Sequence, residues 1–285
     1  MPAPPFFQSV ELIELTVRVA DLSRSQAFYQ DVLGFECTAG AAGTARLGPA
    51  GSASALVVLE AEPGAPPRPR GTAGLFHVAF LYPDRAALGR VLARLLALDV
   101  AIGSADHGVS EALYLSDPEG NGIELYADRP REAWPPSTAE GEVAMYTDAL
   151  DVQSLLAQSR QPGPLLPAGT RIGHIHLSVT DLGLAERFYG DGLGFPVTQR
   201  SYPGALFLGR DGYHHHIGAN TWRSRHRAEP GALGLGRFTV AYRRAEDFHA
   251  AVQAAGRDTT GAAVDSGRVD LEDPDGLGVR LALAG

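Results

Sequence analysis

Hydrophobic and polar residues along the first part of the chain fall into short periodic segments. In "IELTVRV" (13–19) they alternate, which predicts a β-strand with one buried face. "SQAFYQDVLG" (25–34) instead has helical spacing, and it follows Asp21, a suitable N-cap. It ends on a glycine, as helices often do. Short strand patterns continue to about residue 61, so the order is strand, helix, then several strands.

The segment after residue 70 repeats this order. It closes with two strand patterns on either side of the tight turn Asp117-Pro118-Glu119-Gly120. The predicted elements are the strand "GLFHVAFLY" (74–82), the helix "RAALGRVLARLLAL" (85–98), and the strands "EALYLSD" (111–117) and "GIELYAD" (122–128). The first half of the chain therefore holds two βαβββ units.

The second half of the chain matches the first. "DLSRSQAFYQDVLGF" (21–35) corresponds to "DLGLAERFYGDGLGF" (181–195), and the turn at 117–120 corresponds to Asp-Pro-Asp-Gly at 273–276. An internal repeat of this length indicates two copies of one module. The sequence thus predicts an α+β chain of four βαβββ units.

The segment between the copies has a different composition. It is rich in proline and glycine at its ends, while "DALDVQSLLAQS" (148–159) has helical spacing. We therefore predict a first module at 1–132, a linker with one helix at 133–168, and a second module at 169–285.

Composition narrows the class of protein. The chain has 285 residues, 45% of them hydrophobic, and a net charge of −9 that argues against a nucleic-acid surface. Its one cysteine, Cys37, excludes an internal disulfide. The first fifteen residues lack a basic start with a long apolar stretch, and no run is long enough to span a bilayer. We expect a cytoplasmic protein with no membrane contact.

The paired "DL…FY…LGF" segments and both Asp-Pro-acid-Gly turns resemble the vicinal oxygen chelate superfamily, which includes glyoxalase I, bleomycin-resistance proteins and extradiol dioxygenases. The resemblance covers nearly the whole chain. It implies two modules with cup-shaped mixed sheets, and a divalent metal held by the first and last strands of the units that form a cup.

Only the middle units carry suitable ligands at those positions. Unit two has His77 and Glu124, and unit three has His174. Two imidazoles and one carboxylate match the facial triad of non-haem Fe(II) oxygenases. The outer units offer residues that do not form a ligand set, namely Glu14, Thr239 and Arg280. We therefore predict one metal site across the two modules, beside a second cup that has lost its site.

The run His214-His215-His216 adds further candidates. Strand alternation would send His214 and His216 to one face and His215 to the other. We expect His216, and then His214, to face the metal. As a fourth ligand His216 would complete a set resembling that of glyoxalase I, and otherwise it would act as an acid/base.

The spacing around the first turn favours one branch of the superfamily. His107, Leu113-Tyr114, Asp117-Pro118, Gly120 and Glu124 follow the order of the extradiol dioxygenase signature, and the chain resembles two-module catechol 2,3-dioxygenase-like proteins. That resemblance implies that Glu124 binds Fe(II) and that Tyr114 and His107 contact substrate and oxygen. It also implies cleavage of a catechol by O₂ next to its diol.

Two alternatives use the same scaffold. One is a glyoxalase-type lyase or isomerase with Zn or Ni in place of iron, and Mn is a further candidate metal. The other is a non-catalytic protein that binds a small molecule. The exposed strand edges also permit a homo-oligomer without specifying one.

Overall fold

The computed structural model describes residues 7–52, 54–137, 142–160, 163–256, 264 and 266–284. The first half of the chain contains two units of the predicted order. They comprise β1 (Val10–Val19), α1 (Leu22–Ala27) with a π-helical continuation (Phe28–Val32), β2 (Glu36–Ala41), β3 (Thr44–Gly48) and β4 (Val57–Ala61), then β5 (Gly74–Leu81), α2 (Arg85–Ala97), β6 (Gly103–Asp106), β7 (Ser110–Ser116) and β8 (Gly122–Asp128).

The rest of the chain adds a connecting segment and two further units. The connecting segment contains a 3₁₀ turn (Arg131–Ala133) and α3 (Val152–Gln158). The two units comprise β9 (Arg171–Ser178), α4 (Leu182–Ala185) with a π-helical continuation (Glu186–Gly192), β10 (Val197–Gln199), β11 (Ala205–Leu208) and β12 (Ile217–Asn220), then β13 (Gly234–Tyr242), α5 (Ala245–Ala254), β14 (Arg268–Glu272) and β15 (Gly278–Leu283). The predicted α+β class is confirmed. Within the described residues, no helix has both the length and the apolar character needed to cross a membrane.

The four units pair in an order that differs from their order along the chain. Strand β5 of unit two lies antiparallel to β9 of unit three, and β1 of unit one lies antiparallel to β13 of unit four. Strands β1 and β9 meet only at Leu12 and Ile172. The middle units therefore build one cup and the outer units build the other, so each cup takes strands from both halves of the chain.

Strand β5 shows how the sheet separates the core from the cup. Val78 and Phe80 lie in the main hydrophobic core, which also contains the buried face of α2. Ala79 belongs to a separate cluster with Tyr126 on the other side of the sheet. Because successive residues of a strand face opposite sides, His77 points into the cup together with Ala79.

The repeated "FY" segments have a structural role in both halves. The hydroxyl of Tyr189 donates to Oδ2 of Asp273 at 2.8 Å, and that of Tyr29 donates to Oδ2 of Asp117 at 3.4 Å. Each aspartate is the first residue of an Asp-Pro-acid-Gly turn, and its other oxygen accepts backbone N–H groups of that turn. These turns are therefore held by a buried tyrosine in each half.

Replacing Tyr189 by phenylalanine should lower the free energy of unfolding by about 1–2 kcal/mol, because the buried Asp273 would lose one donor. The matched change Tyr29→Phe should cost less, since its hydrogen bond is longer. Urea unfolding of both variants measures the difference. Equal stability of Tyr189→Phe and the wild type would contradict this assignment.

Candidate metal centre

Two imidazoles and one carboxylate converge in the cup built by the middle units. Nε2 of His77 and Nε2 of His174 lie 3.0 and 3.1 Å from Oε2 of Glu124, and 3.2 Å from each other. All three side chains are buried. The structure thus brings together one potential ligand atom from each of the three residues that the sequence predicts as metal ligands.

The arrangement of these three atoms suits binding of a cation better than hydrogen bonding among themselves. A carboxylate oxygen only accepts, so both rings would direct an N–H group to Glu124, and those two N–H groups would face each other without an acceptor. Three ligand atoms about 2.1 Å from a metal and at right angles to one another lie about 3.0 Å apart, close to the spacing here. Two imidazoles with one carboxylate also suit Fe(II) chemically.

Strand register produces this arrangement. Ala79 of β5 pairs with His174 on β9 and with Glu124 on β8, so two of the clustered residues flank one backbone position. His77 lies two residues before Ala79 on the same face. The register of β5 shifts just before His77, and the ring of Phe76 also lies on the cup side, 5.4 Å from that of His77.

Burial and neighbouring groups shift the pKa values of two residues of the cluster, His174 and Glu124. Burial lowers the pKa of His174 to about 4, against the opposing effect of Glu124. Burial alone would raise the pKa of Glu124, but His174 and His77 outweigh it and hold that pKa well below its usual range. At neutral pH this gives a neutral imidazole beside an ionised carboxylate, which are the forms that bind metals.

A pocket of 420 Å³ opens beside the three ligand atoms. Its volume is typical of a small-molecule site. Alongside several histidines, its walls are mainly aromatic, with rings from Phe76, Tyr114, Tyr146, Tyr202, Phe207 and Trp222. A flat aromatic ligand would therefore meet rings on several sides and the clustered His and Glu side chains at one end.

Tyr114 and His107 also line this pocket, as the sequence predicts. Tyr114 lies opposite Glu124 in the β7–β8 pair, and its hydroxyl is 2.7 Å from Nε2 of His107. Nδ1 of His107 lies 2.8 Å from the carbonyl oxygen of Tyr146, which only accepts, so neutral His107 carries its proton on Nδ1. Burial and the charge of Glu124 raise the pKa of Tyr114 well above its usual range, so its hydroxyl donates to His107.

The histidine run requires a correction. The structure brings His215 to the pocket, where its ring centroid is 4.1 Å from that of His174. His216 instead packs against Phe7 and Phe195, away from the pocket. The three histidines precede the first residue of β12, so the strand alternation assumed from the sequence does not apply to them. The prediction that His216 faces inward and His215 outward is wrong.

His214 also lies outside the pocket lining, directly behind His215. Its Nε2 is 3.0 Å from Oδ1 of Asp128, and its Nδ1 is 2.8 Å from Nδ1 of His215. Because a carboxylate only accepts, neutral His214 donates to Asp128 and accepts the Nδ1–H of His215. Burial and the neighbouring histidines lower the pKa of His215 well below its usual range, so its Nε2 keeps a lone pair.

Comparison with known proteins assigns the chain to a family. The family model described as the glyoxalase/bleomycin resistance protein/dioxygenase superfamily matches residues 11–125 and 171–281. The chain belongs to this superfamily. The two matches cover both halves and contain His77, Glu124 and His174.

One relative is similar to this chain in sequence, and two solved structures are similar to it in fold. A relative from Bacillus subtilis (strain 168), named catechol-2,3-dioxygenase, is 46% identical over 242 residues, which is 82% of this chain and 83% of that protein. A solved structure from Bacillus subtilis subsp. subtilis str. 168 covers 96% of this chain and 85% of its own with a TM-score of 0.69 at 13% identity. Glyoxalase I from Zea mays covers 96% and 92% with a TM-score of 0.54 at 16% identity, so both structures show a shared fold.

The second cup of this protein carries different side chains at the equivalent positions. Asp270 and Arg280 occupy the paired positions that correspond to Tyr114 and Glu124, and Arg280 donates twice to Asp270 at 2.7 Å. Glu14 pairs with Arg46 in the same cup. Salt bridges thus fill the positions that hold a phenol and a carboxylate in the first cup.

One wall of the pocket has no signature in the sequence. Met145, Tyr146 and Thr147 lie before α3 in the connecting segment, yet they line the pocket. Backbone hydrogen bonds between Asp106 and Asp148 hold this segment against β6. An extended segment fixed by tertiary contacts has no periodic pattern, so the sequence alone does not predict its place.

Proposed function

We propose that this protein is an extradiol ring-cleaving dioxygenase that opens a catechol with O₂ at a mononuclear Fe(II) site. The convergence of His77, His174 and Glu124 at the end of an aromatic pocket carries this proposal. The name of the Bacillus subtilis relative supports it, since that protein is called catechol-2,3-dioxygenase. The substrates are then a catechol and O₂.

In this proposal His77, His174 and Glu124 are the metal ligands. Bound there, Fe(II) would lower the pKa of the catechol hydroxyls and offer open positions for the diol and O₂. The three residues leave the pocket side of the cluster open. The single carboxylate offsets one of the two positive charges of the ion, which favours binding of an anionic catecholate.

His215 is the acid/base in this mechanism. The Nδ1–H of His215 is donated to His214, so Nε2 of His215 carries a lone pair. The ring of His215 adjoins that of His174 at the pocket. It can accept a proton from a catechol hydroxyl and return it as the ring opens. Asp128 supports His215 indirectly, because it fixes the tautomer of His214.

Tyr114 and His107 position oxygen atoms of the substrate. The Tyr114 hydroxyl lies on the pocket wall opposite Glu124 and is held by His107, which is itself held by the carbonyl of Tyr146. The one O–H of Tyr114 is donated to His107 in the structure, so in this role the hydroxyl would turn from His107 and donate to a negatively charged substrate oxygen. The second copy has Asp270 at this position, which has no hydroxyl to donate.

The position of His216 bears on the lyase or isomerase alternative. That alternative needs His216 as a fourth ligand, but this residue packs against Phe7 and Phe195. Among the described residues, the group that could hold a metal comprises His77, Glu124 and His174. Three protein ligands would leave positions on the metal open for the diol and O₂, and neighbouring acid/base groups can transfer protons. This arrangement favours a dioxygenase over a lyase or isomerase.

Anaerobic reconstitution tests the proposal directly. The protein is loaded separately with Fe(II), Mn(II), Zn(II) and Ni(II), and each form is given a panel of catechols. We expect O₂ uptake and a yellow ring-opened product with Fe(II), and neither with Zn(II) or Ni(II). Absence of turnover with every catechol while one iron is bound per chain would reject the proposal.

A further inference from the structure

A hollow of 860 Å³ adjoins the catechol pocket and shares Phe76, His77 and Tyr114 with it. It lies at the ends of β5, β7 and β8, beside the turn at 117–120. Three arginines line it, Arg68, Arg70 and Arg223, and we call this hollow the arginine vestibule. The three shared residues make the vestibule contiguous with the pocket.

The charge of the vestibule is unusual for this chain. The whole sequence has 33 acidic residues against 24 basic ones, yet no aspartate or glutamate is among the described residues that line the vestibule. Within the described residues, no salt bridge involves Arg68, Arg70 or Arg223, whereas many other arginines pair with a carboxylate. Arg68 donates one hydrogen bond, to the carbonyl oxygen of Leu75. This leaves the vestibule with a positive charge that protein carboxylates do not neutralise.

Backbone hydrogen bonds join the two loops that carry Arg70 and Arg223. The N–H groups of Arg225 and His226 both donate to the carbonyl oxygen of Gly71, at 2.7 and 3.1 Å. The N–H of Ala73 donates back to the carbonyl of His226 at 2.8 Å. These bonds tie the loop that carries Arg70 to the loop that carries Arg223, so the two guanidinium groups border one opening.

Aromatic rings connect the vestibule to the pocket. The guanidinium carbon of Arg223 lies 6.0 Å from the ring centroid of Phe76, and the ring of Trp222 lies 5.5 Å from that of Phe76. Trp222 is 41% exposed, which is unusual for so large an apolar side chain. A ligand with its aromatic ring in the pocket could therefore extend past Phe76 and Trp222 to the arginines.

We propose that the arginine vestibule binds a carboxylate on the substrate, so that the preferred substrate is a catechol with an anionic side chain. This inference rests on the proposed function and names its substrate class. Guanidinium groups bind carboxylates through paired hydrogen bonds, and an uncompensated positive opening also draws anions towards the site. The aromatic pocket holds the ring, and the vestibule selects the side chain.

Matched substrates test the inference. The iron-loaded enzyme is given 3,4-dihydroxybenzoate, 3,4-dihydroxyphenylacetate and 3-(3,4-dihydroxyphenyl)propanoate, each beside its uncharged amide, and catechol itself. At the best side-chain length we expect kcat/KM for the acid to exceed that for the amide by about 10- to 100-fold. Rising salt should reduce this preference and leave turnover of catechol nearly unchanged.

Arginine variants test whether the vestibule causes the preference for the acid. The double variant Arg70→Gln/Arg223→Gln should reduce the acid-over-amide preference to about threefold or less, with catechol turnover within about twofold of wild type. Arg244→Gln is the matched control, because its exposed side chain lies at the start of α5 in unit four, outside both the pocket and the vestibule. The control should keep the full preference. An unchanged preference in the double variant would overturn the inference.

A binding measurement separates the two proposals. Calorimetry with the non-reactive 3-(3,4-dimethoxyphenyl)propanoate and its amide measures the preference without iron or turnover. Tighter binding of the acid, lost in the double variant, supports the vestibule even if no catechol is cleaved. Turnover of acids and amides at equal rates for every length overturns the vestibule and leaves the dioxygenase proposal standing.

Discussion

Replacing Glu124 by alanine is expected to lower Fe(II) affinity by at least about 100-fold and ring cleavage by at least about 1000-fold. The carboxylate is the one anionic ligand in the proposed set, and its Oε2 lies within 3.1 Å of both imidazole nitrogens. Without it, a divalent ion in the buried cluster would lack a neutralising charge. Metal analysis and O₂ uptake after anaerobic reconstitution measure the two losses.

A second measurement separates lost metal binding from damage to the fold. Iron should raise the melting temperature of the wild type, because a ligand that binds only the native state stabilises it, and should leave that of Glu124→Ala unchanged. Glu14→Ala in the second cup is the control, since that carboxylate pairs with Arg46 and should not affect iron content. Wild-type iron affinity in Glu124→Ala would contradict the ligand assignment.

The cluster of His77, His174 and Glu124 could be predicted because the superfamily resemblance implies ligands on the first and last strands of a unit, and local periodicity locates those strands. His77 and His174 lie on long strands whose alternation is unambiguous, and Tyr114 faces Glu124 because a four-residue turn fixes the register between them. Comparison of the four repeated units then showed that only units two and three carry suitable ligands at the equivalent positions. Antiparallel pairing of β5 with β9 then brings units two and three together.

The surroundings of the cluster depend on contacts that the sequence does not encode locally. Which histidine of the run faces the pocket depends on a loop held by Asp128 from the other half of the chain. The wall formed by Tyr146 and Thr147 depends on the segment between the halves returning to β6. Both are long-range contacts between residues with no shared pattern, so their geometry could be seen only in the folded chain.

Replacing His215 by asparagine is expected to lower kcat by about 100- to 10,000-fold while one iron remains bound per chain. His215 adjoins His174 but is not among the three clustered residues, so its loss should remove the acid/base and spare the metal. The measurement is kcat per bound iron with a saturating catechol, together with KM. A change confined to KM would indicate that His215 only binds substrate.

The neighbouring histidine provides the matched control for this prediction. His216→Asn should lower the melting temperature, because it removes a ring packed against Phe7 and Phe195 in the interior. Its kcat per bound iron should stay close to that of the wild type, since His216 does not line the pocket. The opposite outcome, loss of turnover in His216→Asn with normal turnover in His215→Asn, would restore the assignment drawn from strand alternation. We thus expect opposite results for two adjacent histidines, because the loop before β12 brings His215 to the pocket and leaves His216 in the interior.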